Sequence, residues 1–213
     1  MISRFRAVSV FVALALFLLQ AQNPALCPAA GLAAEEQSVL ERIVDGNRNI
    51  ESIESRFTQT RYTFFLDEEL VSDGFFVFRA PDQLVWQYDS PAFFRLEYKD
   101  GKASFRNNFD GDDAPAAQNP REAELAAQIG RQIMLWISFD LESIRTSYSL
   151  EFKQLSPPVL LLSPKKKSPS PINEIELFFA PNGLDVTRVV LHESDGDYIR
   201  LDFADARRVE RQD

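Results

Sequence analysis

The chain has 213 residues, a formal net charge of −9, one cysteine and one histidine. One cysteine cannot close an internal disulfide, and one cysteine with one histidine cannot build a Cys/His zinc site. The acidic balance argues against a nucleic-acid binder, which needs a basic face to neutralise phosphates, and 45% hydrophobic with 12% aromatic residues excludes a disordered chain and suits one domain, at most two.

Residues 1–34 read as a secretory signal peptide. Arg4 and Arg6 supply the positive start, Ala7 to Leu19 is a nearly unbroken apolar run, and small residues follow at Ala29, Ala30, Ala33 and Ala34. The run is shorter than the roughly 20 residues a membrane-spanning helix needs. Cleavage is expected near Ala34. Cys27 does not fit a lipobox, because Leu26 stands where a small residue is required and Pro24 where leucine is usual. The remaining exported domain, residues 35–213, has no cysteine and carries 21 basic against 32 acidic residues.

Residues 35–50 follow helical spacing through Val39, Leu40, Ile43, Val44 and Ile50, with Glu35 and Glu36 in the first turn, where acids suit the helix dipole. The period then shortens. Strands are expected over Ile53 to Phe65, Phe75 to Phe78, Leu84 to Tyr88, Phe93 to Tyr98 and Ala103 to Asn107. Turns at Asp67-Glu68-Glu69, Ala80-Pro81-Asp82, Asp89-Ser90-Pro91 and Lys99 to Lys102 separate them. Leu84, Trp86 and Tyr88 share one strand face by alternation.

Asp110 to Pro120 reads as an exposed loop. Arg121 to Phe139 reads as a second helix with Leu125, Ile129, Ile133, Trp136 and Ile137 along one stripe and Met134 beside it; Leu141 to Ser147 extends it after a break. Strands resume at Tyr148 to Leu155, Val159 to Leu162, Ile172 to Phe179, Val186 to His192 and Tyr198 to Phe203. Ser163 to Pro171 is a polar basic turn, and Asn182-Gly183 and Asp195-Gly196 are hairpin signals. Short strands joined by tight turns imply an antiparallel sheet. Roughly ten strands and two helical segments in one core point to an α+β fold, a heavily twisted or half-closed sheet with helices on its inner face. No internal repeat or domain linker is visible.

The motifs of enzymatic chemistry are missing. His192 is the only histidine, there is no G-x-S-x-G elbow, and neither nucleotide-binding glycine pattern occurs. His192 reads as an exposed strand residue. The acid clusters at Asp67 to Glu69 and Asp110 to Asp113 do not continue into a calcium loop and read as solvated turns. Lys165, Lys166 and Lys167 are fewer charges than basic membrane-binding clusters usually hold and read as a solubilising turn. No enzyme activity, metal or cofactor is expected. The domain keeps 15 phenylalanines after Phe5, Phe11 and Phe17 leave with the peptide. These rings either pack a dry core or wall a cavity for acyl chains, and composition leaves both open.

The order of residues adds a resemblance. Phe57-Thr58-Gln59 resembles the F-x-Q signature of the LolA family, the periplasmic carriers of outer-membrane lipoproteins. Gly74, the stretch Arg79 to Trp86 with Pro81, then Tyr88, Pro91 and the Asp100-Gly101-Lys102 turn follow in the family's order. The resemblance implies a strongly curved antiparallel sheet, an unclosed half-barrel covered on its inner face by helices, in the periplasm. It implies a greasy interior lined by Phe57, Phe76, Phe78, Leu84, Trp86 and Tyr88, with Ile129 and Ile133 of a helical lid that also carries Ile137. Cargo would be a lipoprotein's acyl chains or another lipid, received by a monomer from an inner-membrane releasing complex and passed to an outer-membrane acceptor, with no nucleotide and no nucleic acid. The family arginine before the proline, tied to cargo release, is Ala80 here, so that role falls to Arg79. The chain also stops at Asp213, without the extra C-terminal segment of the longest members. The alternative is a lipid-sensing or envelope-regulator interaction module on the same half-barrel; a hydrolase is the third reading, weighed down by the scarcity of histidine.

Overall fold

A computed structural model describes residues 28–65, 67–107, 120–166, 172–193 and 196–211. The chain divides into two units, Met1–Glu35 and Glu36–Asp213. Residues 1–27, which carry most of the expected leader and Cys27, lie outside the described residues, as do residues 108–119 and 167–171.

The first helix, α1, spans Pro28–Arg48. It starts upstream of the expected residue 35, since Pro28 is tolerated in a first helical turn and alanines follow it. In the second unit its Val39, Leu40 and Ile43, spaced on one face, are buried. It ends before Ile50, because the next residues pair as β1 (Ile50–Thr63).

The strands β1, β2 (Glu68–Arg79), β3 (Gln83–Ser90), β4 (Phe94–Lys99) and β5 (Lys102–Asn107) form one antiparallel meander. A second meander comprises β6 (Tyr148–Leu155), β7 (Pro158–Pro164), β8 (Ile172–Phe179), β9 (Val186–Glu193) and β10 (Tyr198–Glu210). The two fuse where β1 pairs with β10, giving a ten-stranded sheet in the order β5-β4-β3-β2-β1-β10-β9-β8-β7-β6. Its outer strands β5 and β6 do not pair with each other, so the barrel stays open.

Two strands outrun their apolar pattern. The sequence places a turn at Asp67-Glu68-Glu69 and the next strand at Phe75 to Phe78, yet β2 pairs with β1 from Thr63↔Glu68 onward. Past Phe203, β10 crosses a bulge where Asp205 has φ 55°, then pairs again from Arg207↔Glu54 to Glu210↔Ile50. In both places the partner strand supplies the hydrogen bonds, so exposed residues stay in the ladder without alternation.

The helical link between β5 and β6 must pass from one edge of the sheet to the other. Its described residues form α2 (Pro120–Ile137) and α3 (Leu141–Ser147). Helix α2 packs on β4 and β5, and α3 packs on β6, so the link bridges the open side. The break between them is local: Phe139 has φ 46°, and Asp140 caps α3 by accepting from the Ser143 amide at 3.2 Å and the Ser143 hydroxyl at 2.6 Å. A Cβ built on Gly130 of α2 would lie 2.7 Å from the Tyr98 ring, so glycine there lets the helix approach β4. The result is an α+β fold, an unclosed half-barrel with helices across its inner side.

Candidate functional site

An apolar cavity of about 520 Å³ lies between the inner face of the sheet and α2. That size falls within the roughly 300–1,000 Å³ of small-molecule sites. The inner face is apolar because inward positions alternate along each strand: Phe76 and Phe78 on β2, Leu84, Trp86 and Tyr88 on β3, Leu96 and Tyr98 on β4. Helix α2 adds Ile129, Ile133 and Ile137 at four-residue spacing, with Gln132 and Trp136 beside them.

The sheet side of the wall is built of rings. Trp86 stacks on Phe57 with centroids 4.3 Å apart and on Phe76 at 5.6 Å, and meets Phe203 edge-on at 6.4 Å. Tyr88 continues the row to Phe94 at 6.2 Å, and Phe94 stacks on Phe105 at 5.7 Å. Such pairs add about 0.5–1.5 kcal/mol each beyond burial and fix ring positions. Phe57 sits above Gly74, its partner across the β1–β2 ladder. A Cβ on Gly74 would lie 2.7 Å from the Phe57 ring and 2.0 Å from the Gln87 carbonyl oxygen, so only glycine fits beneath this ring.

Five of the sequence-predicted residues line the cavity: Phe76, Trp86, Tyr88, Ile129 and Ile133. Phe57, Phe78 and Leu84 do not; each is at most 2% exposed and lies behind the wall, in the packed layer beneath it. Alternation assigns a side chain to a face, but its depth depends on neighbouring strands. Ile129 lines the cavity and is also 44% exposed, which places it at the rim. Arg79 projects from the opposite face of β2, is 59% exposed and lies 4.0 Å from the Glu54 carboxylate, outside the cavity wall.

The sequence reading missed the second wall. Phe179, Val189, Leu191, Ile199, Leu201 and Phe203 of the C-terminal strands face the cavity. The alternation of Ile199, Leu201 and Phe203 marked that face, yet nothing local said what it would meet. Phe94, Phe105, Gln132 and Trp136 were also missed as lining residues.

The wall carries few polar groups, and most are occupied. The Ser55 hydroxyl donates to the Ala204 carbonyl at 2.8 Å. Gln59 Oε1 accepts from the Tyr88 hydroxyl at 2.7 Å. Burial raises the Tyr88 pKa, partly offset by a hydrogen bond from Trp86, so the phenol stays neutral and donating. Asp185 lies 3.6 Å from Arg208. Two donors of α2, Gln132 Nε2 and Trp136 Nε1, are buried without a partner. Each such orphan costs about 1–3 kcal/mol.

Other candidate chemistry lies elsewhere. His192 is on the outer face of β9, 3.8 Å from Glu176. Asp67 and Glu69 accept from the hydroxyls of Tyr62 and Tyr198 at 3.1 and 3.2 Å. Among the described residues no cluster of three or more His, Cys, Asp or Glu side chains is placed to hold a metal. Asp110 to Asp113 and Lys167 fall outside the described residues. A second hollow, of about 670 Å³, lies by α1 and α3, but it is more open and bordered by Arg48, Asp140 and Arg145, so it shelters no apolar ligand.

Residues 48–213 match the model of the family described as outer membrane lipoprotein carrier protein LolA. The chain belongs to the LolA family. No curated protein matches the sequence. Among solved structures, a LolA superfamily protein of Nitrosomonas europaea is 11% identical, with 83% of this chain and 94% of that one covered and a TM-score of 0.43. A DUF1329 family protein of Desulfovibrio piger is 8% identical over 81% of this chain and 92% of its own, with a TM-score of 0.42. A chain of the Pseudomonas aeruginosa MucA/MucB complex is 16% identical, with a TM-score of 0.46; 85% of this chain and 59% of that one are covered. Membership of the LolA family supports a lipoprotein-carrier type of role.

Proposed function

We propose that this protein is a periplasmic carrier that holds the acyl chains of a lipoprotein, or another lipid, in its cavity and moves them from the inner to the outer membrane. The observation that carries the reading is the cavity of about 520 Å³, walled by rings and aliphatic side chains and covered by α2. Moving a methylene out of water is worth about 0.8 kcal/mol, so a chain of about fourteen carbons gains on the order of 11 kcal/mol before ordering is subtracted. Ring stacking holds the wall in place around the hollow.

The lid is the stripe of Ile129, Ile133 and Ile137. With Ile129 at the rim, a shift of α2 away from β4 and β5 opens the cavity without breaking the sheet. No covalent chemistry and no nucleotide is needed. The chain would be loaded by an inner-membrane complex and unloaded to an outer-membrane acceptor as acyl affinity rises along the route. Residues 1–34 act as the export signal, and the acidic surface keeps a monomeric shuttle off anionic membranes. Native mass spectrometry of protein purified from the periplasm tests this. Adducts with the mass of a lipid or acylated peptide are expected; bare protein that also fails to bind an apolar fluorescent probe overturns it.

A further inference from the structure

Gln132 and Trp136 stand one helical turn apart on α2, and both line the cavity. Trp136 is 7% exposed, yet its Nε1 has no hydrogen-bond partner, and neither has Gln132 Nε2. Two other buried nitrogens lack hydrogen bonds, Arg200 Nε and Arg208 Nη1. Those lie 3.0 and 3.6 Å from the carboxylates of Asp202 and Asp185, so charge compensates them. Gln132 and Trp136 are neutral and have no such compensation.

Gln132 Oε1 accepts from the Tyr148 hydroxyl at 3.1 Å, and the amide nitrogen of Gln132 is the end without a partner. An indole N–H only donates, so rotating the ring cannot exchange its role. Native proteins rarely strand buried donors, and two at adjacent positions of one wall mark where an acceptor is missing. The rest of that wall is hydrocarbon and rings. A hydrocarbon tail brings no acceptor; an acyl ester brings a carbonyl oxygen directly beside its chain.

We propose that Gln132 and Trp136 bind the ester carbonyl of an acyl chain seated in the cavity, so that the protein selects acyl esters over alkyl chains of the same length. The proposal rests on the carrier reading and names the ligand chemistry of the same site. Carbonyl capture sets the depth to which the chain enters, with the ester at α2 and the methylenes along the ring wall of β2, β3 and β4.

The test compares displacement of a bound apolar dye, N-phenyl-1-naphthylamine, by dioctanoyl phosphatidylcholine and by its dioctyl ether analogue, which differ only at the carbonyls. The native protein is expected to prefer the ester by about tenfold, the worth of one to two neutral hydrogen bonds. In the Trp136→Phe, Gln132→Leu double variant this ratio falls toward one. On the native protein, one of the two tryptophan indole N–H signals in a ¹⁵N-resolved spectrum moves downfield with the ester and not with the ether. Equal displacement by both lipids, or a preference that persists in the double variant, overturns the proposal and leaves the carrier reading standing. Failure of both lipids to displace the dye overturns the carrier reading as well.

Discussion

Two regions of the sheet are filled differently. The inner face of β2 to β5 presents Phe76, Trp86, Tyr88, Phe94 and Phe105 to the cavity. On β7 and β8, Leu160, Leu162, Ile175 and Leu177 are at most 1% exposed, and none of them borders the cavity. Branched aliphatic chains interdigitate to the density of a molecular crystal and leave no room. Flat rings stacked on one another hold their spacing and stop short of α2, so the space remains. The β7–β8 layer supplies stability, and the ring wall, with the β8–β10 residues that face it, supplies shelter.

Replacement of a β7–β8 side chain tests this division most strongly. Leu160→Ala should destabilise the fold by about 2–5 kcal/mol, since a fully buried leucine leaves a gap. Denaturant unfolding measures that loss, and dye binding by the folded variant should be unaltered; a weakened dye affinity would break the division. In the ring region, Gly74→Ala should cost about 1–3 kcal/mol, because the new methyl meets the Gln87 carbonyl and the Phe57 ring. Here dye affinity should fall together with stability, as Phe57 is pushed against Trp86. A stable variant with reduced affinity would sharpen the contrast; one with neither effect would refute the role of Gly74.

The smallest expected effect is electrostatic. On the outer face of the ring region, the hydrogen bond from Arg95, 2.6 Å from Glu97, holds the Glu97 carboxyl below the usual glutamate range, with Arg106 assisting at 3.3 Å. A depressed folded-state pKa contributes stability above the unfolded value of 4.5, and that contribution disappears as pH falls through the folded value. The site is largely exposed, so the contribution is about 0.5 kcal/mol or less. Comparing Arg95→Leu with the native chain at pH 7 and below pH 4 should show a small gap that closes in acid.

The fold was legible wherever apolar residues kept a period. Leu84, Trp86 and Tyr88 announced β3, and Ile129, Ile133 and Ile137 announced α2. The ends of β2 and β10 were illegible because Glu68 to Asp73 and Asp205 to Glu210 are held by their partner strand and carry no apolar rhythm of their own. The cavity was legible in part. Facing could be read for Phe76, Trp86 and Tyr88, but depth could not, so Phe57, Phe78 and Leu84 were placed at the wall when they lie under it. The stranded donors of Gln132 and Trp136 had no signal at all, since a missing partner shows only after every neighbour is in place.

The seam between β1 and β10 has a consequence for how the molecule assembles. Ser55 and Ala204, which meet there, are 149 positions apart, and the Arg211 amide reaches the Asn49 carbonyl at 2.8 Å. Each meander can zip up hairpin by hairpin, yet the middle of the sheet stays unjoined until the last strand arrives. Such distant pairing makes for slow maturation. Until then two greasy sheet fragments with raw edges are exposed, and the chain is most vulnerable to clumping between the start of its journey and that final stitch.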